Sequence, residues 1–319
     1  MKKISVLVVL LALFLTGCVI IMLPTVQPLT EKVIGGEGAD KILVVEVSGL
    51  LSDDDGERTL GIETAANLTA RIREELELAS EDTLIRAVVL RINSPGGSVT
   101  TCDIINHEIR EFKKKRGVPI VAQLMDVAAS GAYYVAVASD RIIAHPTTVT
   151  GSIGVIAYSV NAAGLMEKIG LSDQTIKSGD KKDIGSPLRE MTDEEREILT
   201  SIVDTLHGRF LDVIAEGRIG LARKDLDTIA DGRIYTAEQA LALKLIDGTG
   251  YLDDSIELAK ELAGVEKATI ITYAQPDAYK NNVYSALQGM RAPEINLVNI
   301  DTGPLSMGMG VHFMYLWMP

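Results

Sequence analysis

Cysteine and histidine are scarce in this sequence, and their scarcity argues against two kinds of stabilising site. Only Cys18 and Cys102 occur among 319 residues, and Cys18 lies in an apolar run near the N-terminus. A framework of structural disulfides is therefore not expected. The histidines are scattered, and together with the cysteines they lack the short spacings typical of metal ligands. The four are His107, His145, His207 and His312. We expect no metal ion and no other cofactor.

Basic residues are in the minority. The chain has 31 lysines and arginines against 44 aspartates and glutamates, which gives a net charge of −13 and a pI near 4.9. A phosphate backbone would be repelled by this charge, so we expect no nucleic acid as a partner. Apolar residues make up 47% and charged residues 24%, the balance of a globular protein. No internal repeat is present.

The N-terminus has the pattern of an export or anchoring segment. Lys2 and Lys3 precede an unbroken apolar run that ends at Pro24. One interpretation takes LTGC as a bacterial lipobox, with Cys18 as the lipidated first residue of the mature chain. The other takes residues 4–23 as a spanning helix, because about 20 residues at about 1.5 Å each can cross a bilayer. Both interpretations place the chain after Pro24 outside the cytoplasm.

Strand-like and helix-like segments alternate between residues 41 and 276. Apolar runs rich in β-branched residues, such as KILVVEVSGLL, LIRAVVLRINS and VPIVAQLMDV, predict buried strands. The helical segments between them predict an α/β fold with a mainly parallel sheet. Residues 24–40 lack periodicity and are interpreted as a linker. Residues 277–319 are rich in Gly, Met and Pro and are interpreted as a peripheral tail that forms an interface arm.

A glycine pair follows one of the predicted strands, in RINSPGGSV. Pro95 fixes one backbone angle, whereas Gly96 and Gly97 permit conformations closed to other residues. Such a pair can turn successive backbone N–H groups toward one point and so form a cradle for an anion. In an acyl-transfer enzyme that cradle would be an oxyanion hole. A plain tight turn is the alternative.

Ser130 is a candidate nucleophile in the stretch AASGAYY. It follows a predicted strand and begins a predicted helix, whose N-terminus favours developing negative charge. The adjacent Gly131 would let a substrate carbonyl approach the backbone. The alternative is a buried serine whose hydroxyl is satisfied by the preceding turn, and Ser139 nearby is interpreted in that structural way.

A nucleophilic serine needs a base. His145 is the nearest histidine, but no carboxylate obviously orients it. The loop TIKSGDKKDIGSP supplies lysines at 177, 181 and 182 instead. A lysine base requires its pKa to fall from about 10.4 to about 7–8, for which burial must supply roughly 4 kcal/mol. The hydroxyl of Ser152, in TGSIGVI, would help to orient the neutral amine.

Five motifs in a fixed order resemble one known family. RINSPGGSV, AASGAYYVA, TGSIGVI, KSGDKKDIGSPLREMT and DGRIYTAEQALALKLID occur in the order found in bacterial signal peptide peptidase A. The resemblance covers about residues 41–263. It implies a Clp protease/crotonase-like fold and a serine peptidase domain over residues 41–276. The single-unit length is similar to that of the short members of the family.

The resemblance also implies the roles of particular residues. Ser130 matches the nucleophile of a Ser–Lys dyad, and Lys182 matches its general base. Ser152 matches the hydroxyl that orients the lysine, and Gly97 and Gly131 match the oxyanion hole. Ala132, which stands where many relatives have a second glycine, is one departure from the family pattern. LTGC is another, because the usual anchor is a spanning helix.

The function that follows is a membrane-anchored serine endopeptidase of the bacterial cell envelope. It would face outside the cytoplasm and degrade remnant signal peptides and other apolar, extended peptides. The resemblance implies a homo-oligomeric ring with active sites between subunits. Two alternatives remain open at this point. One is a crotonase-like acyl-CoA enzyme, which an export signal argues against. The other is a non-catalytic quality-control scaffold of the envelope.

Overall fold

The computed structural model describes residues 28–53, 67–276, 282–283 and 311–318, together with the backbone of residues 58–59 and 62–63. The predicted signal or anchor at residues 1–23, with Cys18, lies outside the described residues, as does most of the tail at 277–319. None of the helices in the described ranges has the length and apolar character that crossing a bilayer requires.

The described strands are β1 (Thr30–Gly36), β2 (Asp40–Ser48), β3 (Arg58–Thr59), β4 (Ile62–Glu63), β5 (Ile85–Ser94), β6 (Gly96–Ser98), β7 (Ile120–Ala129), β8 (Arg141–Ala144), β9 (Val149–Gly151), β10 (Ile156–Tyr158), β11 (Ile234–Thr236), β12 (Gly248–Thr249), β13 (Ala268–Ala274) and β14 (His312–Leu316). The described helices are α1 (Leu68–Glu81), α2 (Val99–Arg116), α3 (Gly131–Ala136), α4 (Ala163–Lys168), α5 (Asp193–Gly217), α6 (Arg223–Leu226), α7 (Ala237–Ala242) and α8 (Leu252–Ala263).

The main sheet is mostly parallel, which confirms the predicted α/β class. Its strand order is β1-β13-β2-β5-β7-β8-β12, and β9 branches from β7 and carries β11. Six of these pairings are parallel, whereas β1 with β13 and β11 with β9 are antiparallel. A second, three-stranded sheet has the order β10-β14-β6, and β3 pairs with β4.

Both faces of the main sheet are covered, which explains the continuous apolar runs of its strands. Successive residues of β2 point to opposite faces. Leu43 and Val45 pack into a core with α1, α2, α3 and α5, whereas Ile42 and Val44 pack under α8. The helices therefore fix the sheet from both sides and hold the ends of its strands in place.

Part of the predicted linker at residues 24–40 is a strand. Residues 30–36 form β1, which pairs with β13 at the edge of the sheet. The register shifts between Val33 and Gly35, and Gly36 has a φ of 65°. This irregularity breaks the alternation of polar and apolar residues, so the segment lacks the periodicity by which a strand is recognised.

The candidate residues lie at one edge of the sheet. The neighbouring parallel strands β5 and β7 end at Ser94 and Ala129, and Ser94 is paired with Ala128. Because the carboxyl ends of parallel strands meet at the same edge, the glycine pair and Ser130 follow directly from adjacent strand ends. The predicted long helix α5 also forms, with the predicted capping box of Thr192 and Glu195 at its start.

Candidate active site

Ser130 lies in a strained turn between β7 and α3. Its φ of 54° and ψ of −118° are unusual for a residue with a side chain. Its amide donates to the carbonyl of Gly151 at 2.7 Å. Its side chain is buried, and its Oγ has no hydrogen-bond partner among the described residues. The Ser130 hydroxyl is therefore not satisfied by the preceding turn, as the structural alternative requires.

The glycine pair lies directly against the start of α3. A Cβ atom added to Gly96 would be 2.8 Å from the amide nitrogen of Gly131, and one added to Gly97 would be 1.9 Å from the carbonyl oxygen of Leu51. At Gly131 an added Cβ would be 2.3 Å from the Sγ of Cys102. These contacts exclude side chains at all three positions. The loop RINSPGGSV is thus a close-packed wall beside Ser130 and more than a plain turn.

The amide of Gly97 faces β14. On the other edge of β6, the Ser98 amide donates to Leu51 and the Leu51 amide donates to Gly96, both at 2.8 Å. Because backbone groups alternate in direction along a strand, the N–H and C=O of Gly97 point away from Leu51, toward its ladder partner Tyr315. The described part of the tail therefore lies along the chain's own glycine loop.

The carbonyl oxygen of Tyr315 lies close to the glycine loop and to the start of α3. It would be 2.0 Å from a Cβ atom added to Gly96 and 3.0 Å from one added to Gly131. This contact is not predicted from the sequence, because β14 belongs to a tail with weak periodicity. The short apolar stretch HFMYL was its only signal.

Ser152 lies close to this arrangement. The Gly151 carbonyl, one residue before it, accepts the amide of Ser130, and the Ser152 amide donates to the carbonyl of Arg233 at 2.7 Å. Ser152 is buried and has a φ of 48°, so a second serine with a strained backbone stands beside Ser130. The structure thus brings together Ser130, Ser152 and the glycines at 96, 97 and 131.

Lys182 is not part of this arrangement within the chain. It lies exposed in the turn before α5, and its Nζ makes no hydrogen bond or ion pair with the described residues. The other two candidate lysines are engaged, since Lys177 pairs with Asp183 at 2.7 Å and Lys181 pairs with Glu194 at 2.6 Å. Of the three, Lys182 alone has a free amine among the described residues.

Arg189 fixes the turn that carries Lys182, a role that sequence analysis missed. Its guanidinium donates to both carboxylate oxygens of Asp183, at 2.8 and 2.9 Å, and to both of Glu195, at 2.5 and 2.9 Å. The hydrogen bonds from Arg189 and Lys177 hold the pKa of Asp183 well below its usual range. Those from Arg189 and from the Thr192 backbone lower the pKa of Glu195 to about 2. The charged arginine therefore ties the residue after Lys182 to the start of α5.

This network predicts a pH-dependent contribution to stability. The pKa of Glu195 falls from 4.5 to about 2, so its carboxylate stabilises the fold above about pH 4.5 and loses this effect as the pH falls toward 2. Replacing Glu195 by glutamine keeps a capping side chain but removes the charge. We expect the wild type to be more stable than Glu195→Gln at pH 7 and this difference to shrink between pH 4.5 and 2. Urea unfolding at several pH values measures it.

Glu197→Gln is the matched control, because Glu197 is exposed on the same helix. This variant should follow the wild type at every pH. A stability difference for Glu195→Gln that stays constant across the window would contradict the role given to the ion pair.

Metal chemistry has no candidate here, since no three His, Cys, Asp or Glu side chains converge on a possible ion site within the described ranges. Cys102, which lies beneath Gly131, is fully buried, and burial raises the pKa of its thiol. A protonated thiol is a poor nucleophile, so Cys102 does not compete with Ser130.

Comparison with known proteins gives a consistent set of relatives. The sequence profile of peptidase family S49 matches residues 112–266. A protein of Enterococcus faecium, provisionally named as a signal peptide peptidase SppA, is 34% identical over 263 residues, which cover 80% of this chain and 75% of that one. A provisionally named protease of Methanocaldococcus jannaschii is 33% identical over 86% of this chain and 87% of its own.

A plant protein and one solved structure are also similar to parts of this chain. The chloroplastic serine protease SPPA of Arabidopsis thaliana is 30% identical over 78% of this chain and 37% of its own. The solved structure of a membrane-bound stomatin-specific protease covers 69% of this chain and 85% of that one, with a TM-score of 0.42 and 14% identity.

Proposed function

Because the chain belongs to peptidase family S49, a family of serine peptidases, we propose that it is an endopeptidase with Ser130 as nucleophile and Lys182 as general base. One observation carries this proposal. The Oγ of Ser130 is buried without a partner on a strained turn, directly beside a close-packed glycine loop. Strain and an unsatisfied hydroxyl in one residue are costly to a fold and are typical of catalytic positions.

The mechanism follows from these positions. Lys182 takes the proton of Ser130 as Oγ attacks the peptide carbonyl, and the carbonyl oxygen becomes an oxyanion. The amides of Gly97 and Gly131 donate to that oxyanion. Lys182 then gives the proton to the leaving amine, and water hydrolyses the acyl-enzyme in the same way. The Ser152 hydroxyl would orient the neutral lysine amine.

The dyad is completed between two copies of the chain in this proposal. The Oγ of Ser130 has no hydrogen-bond partner among the described residues of its own chain, and Lys182 has an exposed, unpaired amine. Large apolar side chains are exposed close to the Lys182 turn, with Leu165, Ile169 and Leu171 about three-fifths exposed and Ile176 almost fully exposed. Such an apolar surface favours contact with a second copy of the chain. In a closed ring every chain would have a neighbouring copy at this surface.

An extended peptide is the substrate shape that the pairing of β14 with the glycine loop supports. β14 lies as an extended strand between β10 and β6, with its backbone paired to the glycine loop. A substrate that binds by strand addition would use the same edge of β6, because Leu51 holds the other edge. β14 must therefore leave before a substrate strand can pair with Gly97.

We further propose a location and a substrate for this peptidase: it is membrane-anchored and degrades remnant signal peptides outside the cytoplasm. This proposal rests on the apolar segment at residues 1–23, whether lipidated at Cys18 or spanning the bilayer, and on the relative named after signal peptides. Signal peptides are apolar and lie in the membrane after release, so an anchored enzyme would encounter them there.

Peptide hydrolysis by the full-length protein in lipid vesicles tests this function. The substrates are a synthetic signal peptide and a polar peptide of the same length, and mass spectrometry identifies the products. We expect cleavage within the apolar region of the signal peptide and at least tenfold slower cleavage of the polar peptide, because apolar side chains gain most from burial. Equal cleavage of both peptides would contradict the proposed preference for apolar peptides, and cleavage of neither peptide would contradict the proposed peptidase activity.

A further inference from the structure

One peptide unit joins the two strained serines of the candidate site. The peptide bond between Gly151 and Ser152 accepts the amide of Ser130 at its carbonyl oxygen, and its N–H donates to the carbonyl of Arg233, both at 2.7 Å. Because a trans peptide is planar, its carbonyl and its N–H point in opposite directions. This peptide unit is therefore held from two sides, by the candidate nucleophile and by the residue that precedes β11.

The strand β9, which carries this peptide unit, lies between two other strands. On one side it pairs in parallel with the end of β7, where Ala129 lies beside Gly151. The Thr150 hydroxyl adds a hydrogen bond to a carbonyl of β7 at 2.6 Å. On the other side β9 pairs antiparallel with β11, where Tyr235 lies beside Thr150. A displacement of β11 would therefore displace β9 and, with it, the turn that carries Ser130.

The ring of Tyr235 lies directly against the backbone of Gly151. A Cβ atom added to Gly151 would be 2.5 Å from Cδ2 of this ring, and the φ of 86° also favours glycine at this position. Tyr235 is buried, and its hydroxyl donates to the carbonyl of Ile229 at 2.7 Å. The ring thus covers one face of Gly151 and is itself anchored at its far end.

The strained backbone of both serines requires support of this kind. Ser130 and Ser152 have φ values of 54° and 48°, which residues with side chains keep only where their surroundings hold them. In the proposed mechanism Ser130 attacks the substrate and Ser152 orients the lysine amine, so a small shift of either would misalign the reacting atoms. The motif DGRIYTAEQALALKLID, which contains Arg233 and Tyr235, is not otherwise used by this chemistry.

We propose that Tyr235 is a positioning residue of the active site, which holds the peptide unit between Gly151 and Ser152 and, through it, both serines. The inference rests on the proposed peptidase function and adds a residue to it. In this role Tyr235 acts through the backbone of Gly151 and not on the substrate. Its removal should therefore slow the chemical step and leave peptide binding unchanged.

Two substitutions at Tyr235 test this role in the full-length protein, with the synthetic signal peptide as substrate. Tyr235→Leu removes the ring and should lower kcat about thirtyfold, because a misplacement of about 1 Å can cost about 10² in rate. KM should change less than about twofold. Tyr235→Phe keeps the ring and should keep kcat within about threefold of the wild type, because only the hydrogen bond to Ile229 is lost.

A second readout does not depend on peptide binding. The rate at which a fluorophosphonate labels Ser130 reports the reactivity of its hydroxyl. This rate should fall in Tyr235→Leu by the same factor as kcat, and it should be nearly unchanged in Tyr235→Phe.

Tyr273→Leu is the matched control, because Tyr273 is another buried tyrosine of the same core. It lies on β13, which β2, β5 and β7 separate from β9. Both leucine variants lose a buried ring and should lose similar stability in urea unfolding. Only Tyr235→Leu should lose kcat.

The outcomes separate this inference from the function on which it rests. Wild-type kcat in Tyr235→Leu, or an equal loss of kcat in Tyr273→Leu, would overturn the positioning role and leave the peptidase standing. A raised KM with unchanged kcat would also overturn it, because Tyr235 would then act in binding. An equal loss in Tyr235→Phe would overturn the role given to the ring. Cleavage of no peptide by the wild type would overturn the peptidase and this inference together.

A further pair of variants covers the case in which Tyr235→Leu does not fold. Tyr235→Met has a longer, flexible side chain that fills more of the space left by the ring. It is compared with Tyr273→Met, and the same outcomes support or overturn the positioning role.

Discussion

Replacing Ser130 by alanine is expected to abolish peptide hydrolysis, with kcat reduced at least about 10³-fold and KM little changed. Loss of the nucleophile removes the covalent step, and in serine peptidases this costs up to about 10⁶ in kcat. Binding should survive, because the methyl group fits a site where the hydroxyl makes no hydrogen bond within the described residues. Steady-state hydrolysis of the synthetic signal peptide measures both kcat and KM.

Ser139→Ala is a closely matched control. Ser139 is also buried, and its Oγ also lacks a hydrogen-bond partner among the described residues, but its backbone is not strained. It should keep the wild-type kcat. Full activity of Ser130→Ala would exclude Ser130 as the nucleophile. A comparable loss of activity in both variants would mean that the loss comes from removing a buried hydroxyl and not from removing the nucleophile.

Replacing Lys182 by alanine should reduce kcat by a similar factor, because without a base the Ser130 hydroxyl stays protonated. Lys181→Ala is the control, since the Lys181 amine pairs with Glu194 at the surface. Exposed pairs of this kind contribute little to stability, so this variant should keep its activity and its fold. An active Lys182→Ala, or an inactive Lys181→Ala, would place the base elsewhere.

Mixing the two inactive variants tests where the dyad forms. Ser130→Ala supplies an intact lysine and Lys182→Ala an intact serine. Random co-assembly into a symmetric ring would restore about a quarter of the interfaces. Recovered activity supports a dyad shared between copies. No recovery, when both variants are shown to co-assemble, would mean that each chain uses its own lysine.

The sequence predicted the parts of the fold that depend on local patterns. Apolar runs marked the buried parallel strands, and the spacing of Thr192 and Glu195 marked the start of α5. The start of α5 is determined by residues that are close in the chain. The buried strands are recognisable because both faces of the sheet are apolar environments. Ser130 and Gly131 were recognisable for the same reason, because a strand end and a helix start are adjacent there.

The remaining features depend on contacts between distant residues. β1 was hidden by the irregular register at Val33 and Gly35. β14 pairs Tyr315 with Gly97, more than two hundred residues away, and nothing in HFMYL encodes that partner. Arg189 looked like any surface arginine until its two carboxylate partners were placed beside it. In the proposed dyad Lys182 and Ser130 come from two copies of the chain, so patterns within one sequence do not encode their contact.

Covalent labelling with a fluorophosphonate is the sharpest test of Ser130 as the nucleophile. The probe reacts with a serine whose hydroxyl is activated by a base, and the modified residue is identified by mass spectrometry of the digested protein. We expect a single adduct on Ser130 in the assembled wild type, formed at the rate at which peptidase activity is lost, and none in Lys182→Ala. An active enzyme with its adduct on another serine, or with Ser130 unmodified when activity is gone, would contradict this assignment.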